Sequence, residues 1–134
     1  KSKIVNFITK NKLKNIIKII SFKSNPYKYI KKSDLFVLTS KYEGLPNVLL
    51  EAQVLRKFVI SSNCPTGPKE ILKNGKIGNL FKVGDHKKLA DLIINFYKSR
   101  KKFNSKINQA YKDLNRFDYS KNCREYLNVI RKKL

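Results

Sequence analysis

The chain has no methionine and no tryptophan, two cysteines, one histidine, and nine acidic residues among 134. Cys64 and Cys123 lie far apart and neither belongs to a Cys-x-x-Cys pair. Two isolated thiols fit a reducing cytosol better than a disulfide framework or a zinc site. Cys64 reads as a small packing residue. The one histidine, His86, follows Asp85, a good helix N-cap, and reads as a surface residue at a helix start. No apolar run approaches the roughly 20 residues of a membrane span. With lysine at position 1 and no methionine anywhere, the chain is expected to be a piece of a longer protein, so the lack of a signal peptide carries no information.

What is abundant is lysine. Of the 31 basic residues 26 are Lys and five are Arg, for a net charge of +22. Such a charge attracts polyanions. Planar phosphate recognition favours Arg, however, and a chain also rich in Ile and Asn looks like a product of A/T-rich codons. The surface is read as weakly attracted to anionic membrane and not as a nucleic-acid site. The length is that of one domain, and 41% hydrophobic residues are enough for one core.

Apolar residues at helical spacing predict a helix over residues 1–13. "NIIKIISF", Asn15 to Phe22, reads as a buried strand. "NPYKYIKKS" is a short helix with Asn25 as N-cap and Pro26 at its first position. "DLFVLTS" is a second strand, "LPNVLLEAQVLRK" a helix, "FVISSN" a third strand, and "GPKEILKNG" a short helix between Pro68 and Gly75. "KIGNLFKV" is a weaker strand, and from Asp85 the pattern is helical, broken near "NRFDYS". Short buried strands alternating with helices predict an α/β fold, a Rossmann-like doubly wound parallel sheet.

Ligands of such sheets bind beyond the carboxyl ends of the strands. Two loops lie there, "KYEGLP" and "NCPTG". Gly44 permits a tight or left-handed turn in the first, and Pro46 falls in the first helical turn. The amides around Asn47 and Val48 then lack intrahelical acceptors and make an anion site. Glu51, four residues after Asn47, looks over the same cleft and suits the paired hydroxyls of a ribose. Glu43, on the loop, points past the phosphates. The spacing suits a nucleotide with a group attached.

The segments "SDLFVLTSKYEGLPNVLLEA", "SSNCPTGPKEIL" and "GKIGNLFKVGDHKKLADLI" resemble consecutive parts of the donor-binding C-terminal domain of family-four (group 1) glycosyltransferases, which have the GT-B fold and retain anomeric configuration. Glu43 and Glu51 match that family's Glu-x7-Glu motif, and the likeness runs from about Ser33 to Ile93. The resemblance implies that Glu51 holds the ribose of a nucleotide-sugar such as a UDP-sugar and that Glu43 is the catalytic carboxylate nearest the donor sugar. Gly44 and the amides of Leu45, Asn47 and Val48 would meet the sugar and the distal phosphate, and Thr66 and Gly67 would line the sugar side. No metal or other cofactor is expected, and no Asp-x-Asp pair is present to hold one. Departing diphosphate charge would instead be met by amides and basic side chains.

The resemblance further implies an incomplete C-terminal half of a GT-B fold. Residues 1–117 would form the nucleotide-sugar-binding domain without its first strand-helix-strand, which normally carries the basic pair for the diphosphate. Residues 118–134 would form a helix whose stripe Tyr119, Cys123, Tyr126, Leu127, Ile130 and Leu134 packs in the core or back toward an N-terminal domain that holds a glycan or lipid-linked acceptor. The chain alone is not expected to transfer sugar efficiently. Its expected setting is surface polysaccharide or lipopolysaccharide synthesis in the bacterial cytoplasm, peripherally at the inner face of the membrane. The alternatives are a nucleotide-sugar epimerase of the same architecture and a non-enzymatic nucleic-acid-binding module, whose ligand Glu43 and Glu51 would repel.

Overall fold

A computed structural model describes residues 2–133. Three short strands, β1 (Leu35–Leu38), β2 (Phe58–Ser62) and β3 (Asn79–Phe81), form a sheet in the order β1-β2-β3 with both pairings parallel. In register, Leu35 faces Phe58 and Leu38 faces Ser61 across the first pair, and Ile60 faces Asn79 across the second. Every residue of β2 is buried, as a central parallel strand requires.

Strand alternation divides the core into two layers. Val59 packs with Ile30, Leu49, Ala52, Ile71 and Leu72 from α2 (Tyr27–Lys32), α3 (Asn47–Val54) and α4 (Pro68–Ile71) with its following residue, together with Phe36 and Leu38 of β1. On the opposite face Phe58 and Ile60 pack with Phe96, Phe103 and Ile107, reached through α5 (His86–Lys98) and α6 (Asn104–Asp113) with the 3-10 turn between them, and with Leu35 and Val37. The Phe58 ring stacks on Phe96 at 5.4 Å and tilts against Phe103 at 4.5 Å. Helices thus cover both faces of a parallel sheet, the doubly wound α/β arrangement the strand pattern predicts.

The helix starts follow the sequence. Asp85 Oδ1 accepts the Lys88 amide at 2.9 Å and caps α5, leaving His86 exposed. Asp118 does the same for the Lys121 amide at 2.8 Å and starts α7 (Tyr119–Arg131). Asn25 Oδ1 accepts the Tyr27 amide at 3.1 Å, but α2 begins at Tyr27 with Pro26 in the cap position, one residue later than expected. The expected first helix is α1 (Ser2–Lys10), and Cys64 is buried.

One expected element is absent. Residues 15–22 form no strand; they run irregularly with Ile16 79% and Phe22 92% exposed. A strand needs neighbours for its amides and carbonyls, and among the described residues β1 pairs only with β2, so nothing receives this segment. Of the two placements expected for the apolar stripe of α7, core or interface, core packing is not the one found. No residue of α7 is buried, and Tyr119, Tyr126, Leu127 and Ile130 are exposed. Asn122 ties α7 to the Arg116 carbonyl at 3.2 Å, and the helix packs mainly against the turn before it, with Cys123 half-buried and Tyr119, Tyr126, Leu127 and Ile130 outward. Leu134 lies outside the described residues.

Candidate functional site

β1 and β2 end side by side, and a chain of hydroxyl bonds ties the loops that follow them. Ser62 Oγ donates to the Ser40 carbonyl at 2.6 Å, and Ser40 Oγ donates to Glu43 Oε1 at 2.6 Å. Thr66 Oγ1 donates to the Glu43 carbonyl. Neither serine stood out in the sequence; the available signal was a small hydroxyl residue at each strand's end.

Gly67 completes the junction. It is buried, with φ +84° and ψ −67°, and a Cβ on it would collide with the Gly44 carbonyl oxygen and the Pro46 ring. Of the tight or left-handed turn that Gly44 permits, the left-handed form is not adopted: Gly44 does not have positive φ, and a Cβ there would meet nothing within 4 Å. The conformational demand falls on Gly67 because its loop passes directly over the Gly44–Pro46 backbone, while Gly44 itself faces open space. Pro46 lies one position before the helix (φ −74°, ψ 88°), and its carbonyl accepts the Leu49 amide at 2.9 Å. α3 therefore begins at Asn47, and the Asn47 and Val48 amides precede any intrahelical acceptor.

Glu43, Gly44, Leu45, Asn47, Val48, Thr66 and Gly67 thus gather around one junction at the strand ends. Glu43 and Val48 are half-buried, while Gly44, Leu45, Asn47 and Thr66 are exposed. Glu51 is half-buried one turn along α3, where it lines a cavity of about 380 Å³ with Tyr27, Val54 and Leu55. Among the described residues its carboxylate accepts no hydrogen bond. It does not share a cavity with Thr66 and Gly67, which open instead onto a cleft of about 820 Å³ lined also by Lys69, Lys73, Lys76 and Arg116.

Arg116 escaped the sequence reading because it lies in the irregular "NRFDYS" stretch, far along the chain. Its Nε donates to Asp113 Oδ2 at 2.7 Å, and Lys73 pairs with the other oxygen. Burial pushes the Asp113 carboxyl up, but the bonds from Arg116 and Lys73 outweigh it and hold the carboxyl below its ordinary value. Among the described residues no group of three His, Cys, Asp or Glu side chains is placed to hold a metal ion. No helix there is long and apolar enough to cross a membrane.

The strand ends of this Rossmann-like α/β fold thus carry free amides at a helix start, Glu43 anchored on the loop, and Glu51 facing a separate cavity one turn along the helix and not the single cleft expected for both carboxylates. The chain belongs to the group 1 glycosyl transferases, whose family model matches residues 1–113. It is 44% identical over 72 residues to an uncharacterized glycosyltransferase of Methanocaldococcus jannaschii, covering 54% of this chain and 18% of that protein. It is 30% identical over 133 residues to the capsular polysaccharide biosynthesis glycosyltransferase CapH of Staphylococcus aureus, covering 98% of this chain and 35% of that one. Its fold matches Anabaena HepE, solved in complex with UDP, at a TM-score of 0.89 and 22% identity over 98% of this chain and 36% of that chain. HepE was also solved with UDP-glucose. The chain spans only about a fifth to a third of the length of these proteins.

Proposed function

We propose that this chain is the donor-binding part of a retaining glycosyltransferase that moves a sugar from a nucleotide-sugar to a glycan or lipid-linked acceptor in surface polysaccharide synthesis. The observation that carries the reading is the pairing of the α3 first-turn amides with the Glu51 carboxylate one turn further on, which has no protein partner among the described residues. A diphosphate against those amides would place a ribose within reach of Glu51. Glu43, anchored through Ser40 at the other end of the loop, is the acceptor of a hydroxyl on the donor sugar. The open space above Gly44 admits the close approach of a phosphate or sugar. The UDP and UDP-glucose held by the similar HepE chain support a uridine nucleotide as the first donor to try.

In transfer, the anomeric C–O bond breaks and charge gathers on the departing diphosphate. The Asn47 and Val48 amides and the helix dipole stabilise that charge. No resident metal is invoked. The protein would act at the cytoplasmic face of a membrane, where exposed lysines meet anionic head groups.

The test is calorimetric titration of the full-length protein with UDP-, GDP- and ADP-sugars, repeated on Glu51→Ala. Loss of charge-assisted bonds to ribose costs about 1.5–3 kcal/mol, which is about a 10- to 150-fold weaker Kd. Unchanged affinity in the variant would remove Glu51 from the ribose. Salt-sensitive RNA or DNA binding that survives the substitution would favour a nucleic-acid module instead.

A further inference from the structure

Glu43 is not a free loop carboxylate. Its Oε1 is taken by the Ser40 hydroxyl at 2.6 Å, while Oε2 has no protein partner among the described residues. Its backbone carbonyl is held by Thr66, whose loop is pressed against Gly44 and Pro46 through Gly67. Ser40 in turn is anchored by Ser62, which is 1% exposed at the end of β2. The carboxylate is therefore linked by successive bonds to the most buried strand. A glutamate side chain left unheld in an exposed loop would spread over several rotamers. A hydroxyl three residues earlier restricts it to those that present Oε2 outward.

We propose that Ser40 is a positioning residue for Glu43: by occupying Oε1 it aims Oε2 at a single hydroxyl of the donor sugar, while Ser62 and Thr66 hold the loop on which both residues sit. The inference rests on the donor-binding reading above. It separates two functions within the site. Nucleotide affinity belongs to Glu51 and the α3 amides, whereas the increment contributed by the sugar passes through Ser40.

The experiment is a double-mutant cycle on the full-length protein, read by calorimetry with UDP and UDP-glucose as titrants. In Ser40→Ala, UDP affinity should stay within about twofold of the parent, and UDP-glucose affinity should fall about three- to tenfold, the scale of one lost net hydrogen bond. Ser40→Thr keeps the hydroxyl and should restore it. In a Glu43→Ala background Ser40→Ala should add nothing, because the group it acts through is gone. Equal weakening of both ligands, additive effects in the cycle, or no rescue by threonine would make Ser40 a structural residue and overturn the proposal. Should Ser40→Ala not fold, Ser62→Ala removes the buried hydroxyl that holds the Ser40 carbonyl and should show the same sugar-selective loss; an unchanged sugar increment there would overturn the proposal too. A parent protein that binds none of the UDP-, GDP- and ADP-sugars would sink the donor reading itself, and one that binds a GDP or ADP pair moves the same cycle to that pair, whereas binding of nucleotide and nucleotide-sugar with an unaltered increment in the variant removes only the positioning role.

Discussion

Replacing Gly67 with alanine strains the junction in two ways. Its φ of +84° and ψ of −67° lie close to a γ-turn conformation that L-residues rarely adopt, and holding alanine there costs about 1–3 kcal/mol. The new methyl also runs into the Gly44 carbonyl oxygen and the Pro46 ring, neither of which has a rotamer to escape into. The loop that carries Glu43 must then shift, an overpacking cost of about 1–3 kcal/mol. The sum is about 2–6 kcal/mol, and at about 3 °C per kcal/mol for a domain of this size the Tm should fall by about 6–18 °C. Gly44→Ala is the paired control. Its Cβ meets nothing within 4 Å and its φ is not positive, so its Tm should stay within about 2 °C of the parent. Circular dichroism melts of both variants decide the matter. A Gly67→Ala protein that melts with the parent would refute the close contact of the two loops. If a ligand phosphate or sugar fills the space above Gly44, Gly44→Ala should lose UDP-glucose affinity while keeping its Tm.

Other outcomes follow from the same packing and electrostatics. The Asp113 carboxyl is held below its ordinary value in the folded state, so its contribution to stability is present above the unfolded pKa, near 4, and is lost as the pH falls through the lower folded value. Asp113→Asn should therefore flatten the dependence of Tm on pH below about pH 4 and cost about 1–3 kcal/mol at pH 7; an unchanged acid limb in the melts would show that Lys73 and Arg116 do not perturb it. Phe103→Ala empties one of three mutually packed rings beneath β2 and should cost about 3–5 kcal/mol in urea unfolding, where a loss under 1 kcal/mol would contradict the packing. Asp118→Ala removes the cap of an almost unpacked helix, so α7 should fray and far-UV helicity fall, with the Tm of the sheet core unmoved within about 2 °C; unchanged helicity would deny the cap its role.

The strands and helices that bury one another were legible because each carries its own periodicity. Phe58, Val59 and Ile60 alternate between two cores, and Asp85 and Asp118 cap their helices from positions visible in the chain. The segment 15–22 misled because its apolar run is a statement about partners, and strand pairing is not local. The site divides along the same line. Glu43 and Glu51 are candidates from a short spacing around a helix start and from the flanking segments that resemble the family's. Ser40 and Ser62 could not be found this way, because their bond spans 22 positions and exists only once the parallel register sets Leu38 against Ser61, bringing the two strand ends together. Gly67 shows the same dependence from the backbone side. Gly44 stands in the motif, where it permits a tight or left-handed turn, yet the glycine that geometry requires is the one in the neighbouring loop, where two chain segments cross with no room for a Cβ. Motif spacing therefore names two candidate carboxylates, but what holds one of them in place depends on register, and residues that act through register become visible only in the folded chain.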